Sequence, residues 1–475
     1  HQAKLFNTPA NQVAELGDFM YDALAGASDP AYLTETDEVI LTQRIKDQAQ
    51  ALSYDPVRIY HWVRNNVEWQ PSWGAVQDAE LTLDARRGNA MDIASLTIAL
   101  LRASQIPARY VHGTIEVPEA MFRNWAGGFT SIDAAVDFAA SGGIPTAAAI
   151  AGGKISHIQL EHVWVEAAID YFPSRGASNR DADAWVQMDP SYKQYEHLEG
   201  LDAVAISGID TNQLATDFLA SGTINEAEGW IQGFDPTILE IAQIQAQTAL
   251  ENYITTNMTD PTVGDVIGGR KTIIQEYPVL PSSLPNRILV EGARYEKLPL
   301  QLQQRVTYSL GRDDLGLPVN PTTFAYATLN NEKVTLSFRP ATPDDEAALL
   351  ALVPEGEVID FNQLPSSIPS YLIEVIPEFK VNGVLRMSGE PMSLGEELIF
   401  NTTIDFPSRN KQENYDYNVL AGSYLSVNVV AGNVSLRKLA DLQANLNVTR
   451  AKLENNDPVK INTLTRQEIL GDMFY

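Results

Sequence analysis

Apolar residues recur at helical spacing from Gln12 to about Ala51, with Val13, Leu16, Phe19, Met20 and Leu24 in one stripe and Val39, Leu41 and Ile45 following Asp29-Pro30. This predicts a helical lead-in over residues 1–54. Asp55-Pro56 then reads as an N-cap followed by proline at the first helical position, opening a helix through Ile59, Trp62 and Val63 that closes near Asn65-Asn66. A second start follows at Asn89, where Asn89 and Asp92 have the order of a capping box. Ile93, Leu96, Leu100 and Leu101 supply the buried stripe until Pro107 ends it. The period then changes to alternation in Ala108 to Val117, Leu160 to Ile169 and Ala184 to Asp189, which predicts an α+β unit over residues 55–200. An insertion rich in alanine and glycine, about Glu119 to Ser156, separates the first two strands and has the length of a lid.

Residues 201–282 return to helical spacing, with Ile238, Ile241, Ile244 and Leu250 placed for a packed face. Pro278 to Pro285 marks a boundary. Beyond it, over residues 283–435, short alternating segments are cut by Gly, Pro, Asn and Asp turns, the pattern of a β-rich, sandwich-like scaffold. The segments are Arg287 to Val290, Arg305 to Leu310, Phe324 to Ala327, Lys333 to Phe338, Tyr371 to Phe379, Leu398 to Ile404 and Tyr424 to Val430. The stretch 436–475 holds a last amphipathic helix, and apolar residues at its end suggest continuation into a longer chain. Asp344-Asp345-Glu346 lacks the alternate-residue spacing of a calcium loop and reads as a turn or helix start after Pro343.

Composition narrows the function classes. The 475 residues carry 33 Lys+Arg against 61 Asp+Glu, a net charge of -28 that disfavours nucleic acid and anionic membranes as partners. No apolar run approaches the ~20 residues that cross a bilayer, so no membrane insertion is expected from this piece. There is no cysteine, which excludes disulfides, zinc-thiolate sites, iron-sulfur clusters and every thiol nucleophile. Cysteine avoidance favours an exported or cell-surface bacterial setting and leaves a cytoplasmic one open. No cofactor is implied. A metal pair of His157 and His162 is disfavoured because their odd separation on a strand sends them to opposite faces. His112 reads as a turn residue after a strand, and Arg102 and Arg109 as structural ion-pair partners.

The run Arg87-Gly88-Asn89-Ala90-Met91-Asp92, continued by Leu100-Leu101-Arg102 and Ile106-Pro107-Ala108-Arg109-Tyr110, resembles the core of the transglutaminase-like superfamily. Glu161-His162-Val163-Trp164 resembles its histidine strand and Trp185-Val186-Gln187-Met188-Asp189-Pro190 its aspartate strand. The resemblance implies a papain-like fold with Ala90 at the position of the catalytic cysteine, His162 as its partner and Asp189 as the orienting carboxylate. Trp73, Gln77 and Trp164 are candidates for the cleft, and Trp69 lies in the same stretch.

Elementary geometry bears on the same residues. A cysteine beginning a helix gains thiolate character from the helix dipole and the free N–H groups there. Ala90, directly after the Asn89 cap, occupies that spot without the sulfur. Antiparallel strands in a hairpin pair residues whose numbers have a constant sum, so setting His162 opposite Asp189 centres the turn between Arg175 and Gly176, within a stretch of turn composition. The alternative is a buried histidine satisfied by a neighbour. Ser95 lies five residues along the helix, ~140° round its axis at ~100° per residue, and does not replace the sulfur. Three readings follow: an inactive module that binds a protein or peptide ligand, an acyltransferase or protease whose cysteine has been replaced by Ala90, and a purely structural module of a larger chain or assembly.

Overall fold

The computed structural model describes residues 16, 19–172, 181–311, 319–352, 367–427, 429–454 and 467–474. Two compact units result, one of residues 1–193 with 274–475 and one of residues 194–273.

Val13 of the expected lead-in lies outside the described residues, and from Phe19 the chain differs from that expectation. Phe19 to Leu24 form turns and an isolated bridge from Met20 to Asp181, and Phe19, Tyr21 and Leu24 pack on Ala27, Ala168 and Ala182. The first α-helix among the described residues, α1 (Gln43–Ala51), starts where Thr42 caps it. Asp55 accepts from the N–H groups of Val57 and Arg58 and starts α2 (Pro56–Asn66) with proline in its first turn, as predicted. Strand β1 (Glu68–Trp69), α3 (Ala79–Ala85) and β2 (Arg87–Gly88) lead to α4 (Ala90–Ala103), which is buried from Ala90 to Arg102. After α4 come β3 (Ala108–Pro118), then α5 (Glu119–Ala126), α6 (Ile132–Ser141) and β4 (Thr146–Ala151) of the insertion, then β5 (Lys154–Ile169) and β6 (Ala184–Met188).

The second unit holds β7 (Tyr195–Leu198), α7 (Ala203–Ser207), α8 (Thr211–Ser221), β8 (Thr223–Asn225), β9 (Trp230–Gln232), α9 (Thr237–Asn257), α10 (Val263–Ile267) and β10 (Gly269–Thr272). Of the face expected of α9, Ile238 and Leu250 are half-buried, in a helix that packs on α7 and α8, whereas Ile241 and Ile244 are each 64% exposed.

Residues 274–475 return to the first unit. Strand β11 (Arg287–Tyr295) does not belong to the sandwich, as the sequence pattern suggested. It pairs antiparallel with β3 and covers that sheet's edge, giving the order β11-β3-β5-β4 with β6 also on β5. The sandwich follows: β12 (Arg305–Leu310), β13 (Thr322–Ala325), β14 (Val334–Pro340), α11 (Pro343–Leu350), β15 (Glu374–Val381), β16 (Val384–Ser388), β17 (Met392–Ser393), β18 (Glu397–Phe406), β19 (Lys411–Leu420) and β20 (Leu425–Ser426). Sheets β13-β12-β18-β19 and β16-β15-β14-β20 enclose a core of Leu336, Phe379, Tyr308 and Phe400. Asp345 completes a capping box with Thr342 at the start of α11, so the acidic run is a helix start. Helix α12 (Leu436–Glu454) is fastened by Arg437 to Glu80 and Asp84 of α3.

The β-rich half is more than a scaffold beside the first domain, because it stitches down the loop before α4. The Asn433 amide donates to Gln70 Oε1 (2.9 Å) and Gln77 Oε1 (3.1 Å), Asn330 donates to the Val76 carbonyl (2.9 Å), and Gln304 donates to the Trp73 carbonyl (3.0 Å). On the other side the insertion grips the same loop. The Trp73 N–H donates to the Gly142 carbonyl (3.0 Å), and a Cβ at Gly142 would collide with the Pro71 carbonyl oxygen. Gly142→Ala is therefore expected to lower stability by about 1–3 kcal/mol and to raise the rate of limited proteolysis in residues 119–153, both measurable on purified protein.

Candidate functional site

The start of α4 is built from short-range bonds. Asn89 Oδ1 accepts from the Met91 (2.9 Å) and Asp92 (3.0 Å) N–H groups, and Asp92 Oδ2 accepts from the Asn89 N–H (3.2 Å), completing the capping box. The other Asp92 oxygen accepts from the Val76 (3.0 Å) and Gln77 (3.3 Å) N–H groups. Ala90 is 6% exposed, and its N–H meets no acceptor among the described residues. The helix therefore begins with a free donor beside the Ala90 methyl.

Burial pushes the Asp92 carboxyl up to about 7 against the pull of its three backbone donors. A folded-state value raised above the unfolded 3.8 means that the native protein holds the proton longer. The stability this gives is complete below about pH 4 and is lost as pH rises through about 7. Each tenfold gain in proton affinity is worth about 1.4 kcal/mol, so the loss is on the order of 4 kcal/mol. Asp92→Asn, which cannot ionise, is expected to be less stable at pH 5, where it lacks one acceptor, and to lose less between pH 5 and 8. Melting temperatures of both proteins across that range check this.

His162 lies in the middle of β5, paired with Gly113 of β3. Along the opposite edge, β4 pairs Lys154 to Leu160 and β6 pairs Val165 to Ile169, which leaves an unfilled gap beside His162. Asp189 enters that gap. The register pairs Val165 with Met188, so partner numbers sum to 353 rather than the 351 that would set His162 opposite Asp189. A shift of two keeps the side chains on one face, and Pro190, lacking an N–H, ends the pairing. Asp189 Oδ2 accordingly reaches His162 Nε2 diagonally at 2.9 Å. The turn expected around Arg175 lies outside the described residues.

Ser191 is a site member that the sequence reasoning missed. Its hydroxyl donates to Asp189 Oδ1 (2.6 Å) and lies 3.1 Å from His162 Nε2, and Asp189 Oδ1 also accepts from the N–H groups of Ser191 (3.0 Å) and Tyr192 (3.2 Å). A hydroxyl two residues after an aspartate is an ordinary turn signal, so nothing local marked it out. Burial alone would raise the Asp189 carboxyl. The His162 charge and the hydrogen bonds from His162, Ser191 and Tyr192 hold it below the usual range instead. His162 and Asp189 are each 2% exposed.

With Nε2 engaged, the Nδ1 nitrogen of His162 has no hydrogen-bond partner among the described residues. Aromatic rings close the surroundings. Trp125 of α5 meets the His162 ring edge-on at 5.5 Å and stacks on Trp69 at 4.1 Å, and its Nε1 donates to the Ser191 carbonyl (3.2 Å). Trp69 in turn pairs with Gly88, two residues before Ala90. The levels also agree, since β3 runs back along α4. From Ala108 to Gly113 is ~17 Å of strand, and from Ala103 back to Ala90 is ~20 Å of helix. The histidine and the helix start thus lie at one end of the domain.

The remaining candidates are placed elsewhere. The Gln77 amide is spent on Thr82 Oγ1 (3.2 Å), the Arg87 carbonyl (2.6 Å) and Asn433, so it braces the loop rather than lining a cleft. Trp164 is fully buried, and a Cβ at Gly113 would come 2.7 Å from its ring, which makes it core packing. Trp73, 6% exposed, lies 6.0 Å from the ring of His112. His112 itself is within β3 rather than a turn, 3.1 Å from Glu161 Oε2. Arg109 forms the expected ion pair, with Glu166 at 2.7 Å, whereas Arg102 donates to the carbonyls of Thr34 (2.6 Å), Ala108 (3.0 Å) and Glu296 (2.6 Å). No group of three His, Asp or Glu side chains suited to a metal occurs among the described residues, and no described helix is long and apolar enough to cross a membrane.

The capped central helix α4 thus packs on a sheet that carries the hydrogen-bonded His162–Asp189 pair. The transglutaminase-like superfamily profile matches residues 40–190, and the chain carries a transglutaminase-like domain there, in an α+β fold without any cysteine. Comparison with curated proteins and with solved structures returns no match.

Proposed function

We propose that this transglutaminase-like domain is catalytically silent and holds a protein or peptide ligand, in a bacterial protein working at the cell surface or after export. The observation that carries the reading is the pairing of an intact His162–Asp189 bond with Ala90 at the helix start, where a nucleophile would stand. In the proposed complex a carboxamide side chain such as glutamine takes the Ala90 N–H as donor and His162 Nδ1 as its second partner. Acyl transfer does not follow, because no side chain there can attack the carbonyl. The absence of cysteine supports the exported setting.

A second reading, a structural module without a ligand, is favoured by the burial of the pair at 2% exposure beneath Trp125. Acetyl-glutaminyl-glycine separates the two. The binding reading expects it to shift the His162 ring nitrogen resonances saturably with no hydroxamate formed when hydroxylamine is added. An unmoved His162 signal selects the structural reading, and hydroxamate production overturns both.

A further inference from the structure

A second site lies far from α4, at the open side of the sandwich. There β19 runs ten residues along β18, while the facing sheet ends in β20, which is two residues long. Tyr415, Tyr417 and Val419 alternate along β19 and point between the sheets. Val419 is buried in the core, yet Tyr415 and Tyr417 remain 42% and 54% exposed, with no strand over them among the described residues. The result is a cleft of about 650 Å³, a volume that suits a small molecule.

Its lining is one-sided in chemistry. Tyr308 and Phe400 stack at 5.3 Å to form an aromatic floor, with Tyr326 beside them, and the opposite wall is aliphatic, from Leu425, Val427 and Val430. Among the described residues no Asp, Glu, Lys, Arg or His lines it, in a chain where one residue in five is charged. Hydrogen-bonding groups are nevertheless present and unspent. The Tyr308 and Tyr326 phenols line the cleft and make no hydrogen bond among the described residues. A polar group left unpaired in a largely apolar cleft is available to a ligand. Burial raises both phenols above their ordinary range, so they stay neutral donors.

We infer that this cleft is a binding site for a neutral, flat, largely apolar molecule bearing one hydroxyl or carbonyl group, which stacks on Tyr308 and Phe400 and hydrogen-bonds the Tyr326 phenol. An ion is disfavoured: a cation or an anion would give up its hydration with no opposite charge in the lining to replace it. This site is independent of Ala90 and His162.

The probe is 2-naphthol, compared with naphthalene-2-sulfonate and 2-naphthyltrimethylammonium, which keep the ring and add a charge of either sign. Calorimetry on the full chain is expected to show saturable one-to-one binding of 2-naphthol and binding at least about tenfold weaker for both ions. Val430→Trp, at a rim position 57% exposed where folding tolerates it, should fill the cleft and weaken 2-naphthol at least about tenfold. Tyr326→Phe should leave the melting temperature of the free protein unchanged or higher while weakening binding about three- to tenfold, a combination that a packing role for the phenol does not give. No saturable binding, an ion that matches 2-naphthol, or affinity indifferent to both variants overturns the inference.

Discussion

Ala90→Cys is expected to create a thiol that reacts with iodoacetamide as though its pKa were below about 7, against about 8.5 for an ordinary cysteine. Two features of the site produce this. The new sulfur would stand in the first turn of a 14-residue helix whose leading N–H is free, where the helix dipole favours negative charge. It would also stand at the end of the domain where His162 keeps Nδ1 unspent and Nε2 tied to Asp189, the arrangement in which an imidazolium pairs with a thiolate. Since the chain has no other cysteine, every alkylated molecule reports this one position. Adding His162→Ala should return the thiol to near its ordinary pKa and slow alkylation at pH 6 by about tenfold or more. Because the site lies beneath Trp125, the absolute rate should be limited by opening of α5, and Gly142→Ala, which loosens the insertion, should raise it. A thiol of ordinary pKa that ignores His162 would mean that helix start and histidine do not meet, and would remove the basis for a latent active site.

What the sequence made legible divides by the range of the interaction. The caps at Asp55 and Asn89, the helix after each and the strand from Ala108 were readable because each rests on residues within a few positions of one another. The face shared by His162 and Asp189 was readable through the hairpin rule, although the register is shifted by two where Pro190 ends the pairing. Features decided by distant chain were not. Gln77 has the residue type of an oxyanion donor, and only Asn433, 356 positions away, reveals it as a brace. Strand β11 has a sandwich-like pattern, and only the open edge of β3 explains where it goes. Strand β19 escaped notice for a different reason. As an edge strand it carries Lys411, Glu413 and Asp416 amid its alternation, the charged residues by which exposed edges avoid pairing with other chains.

His162→Ala is expected to destabilise the protein by about 3 kcal/mol or more at pH 7, a larger loss than the removal of one ring's packing. The reason is what remains. Asp189 stays buried at 2% exposure, still bonded by Ser191 and the Tyr192 N–H but deprived of the His162 ring, whose charge and hydrogen bond most lower its pKa. In the parent protein a carboxyl held below 3.8 adds stability that is present above about pH 4 and lost as pH falls through its lower folded value. Without His162 burial dominates, the folded carboxyl rises above the unfolded one, and the sign reverses, so that stability falls as pH rises. The gap between parent and variant should therefore widen from pH 4 to pH 7 in urea unfolding. Asp189→Asn placed on top of His162→Ala removes the stranded charge and should recover about 1–3 kcal/mol at pH 7. If the double variant is no more stable than His162→Ala, and the gap is flat with pH, the pair is a neutral hydrogen bond. The lowered thiol pKa expected of Ala90→Cys would then rest on the helix start alone.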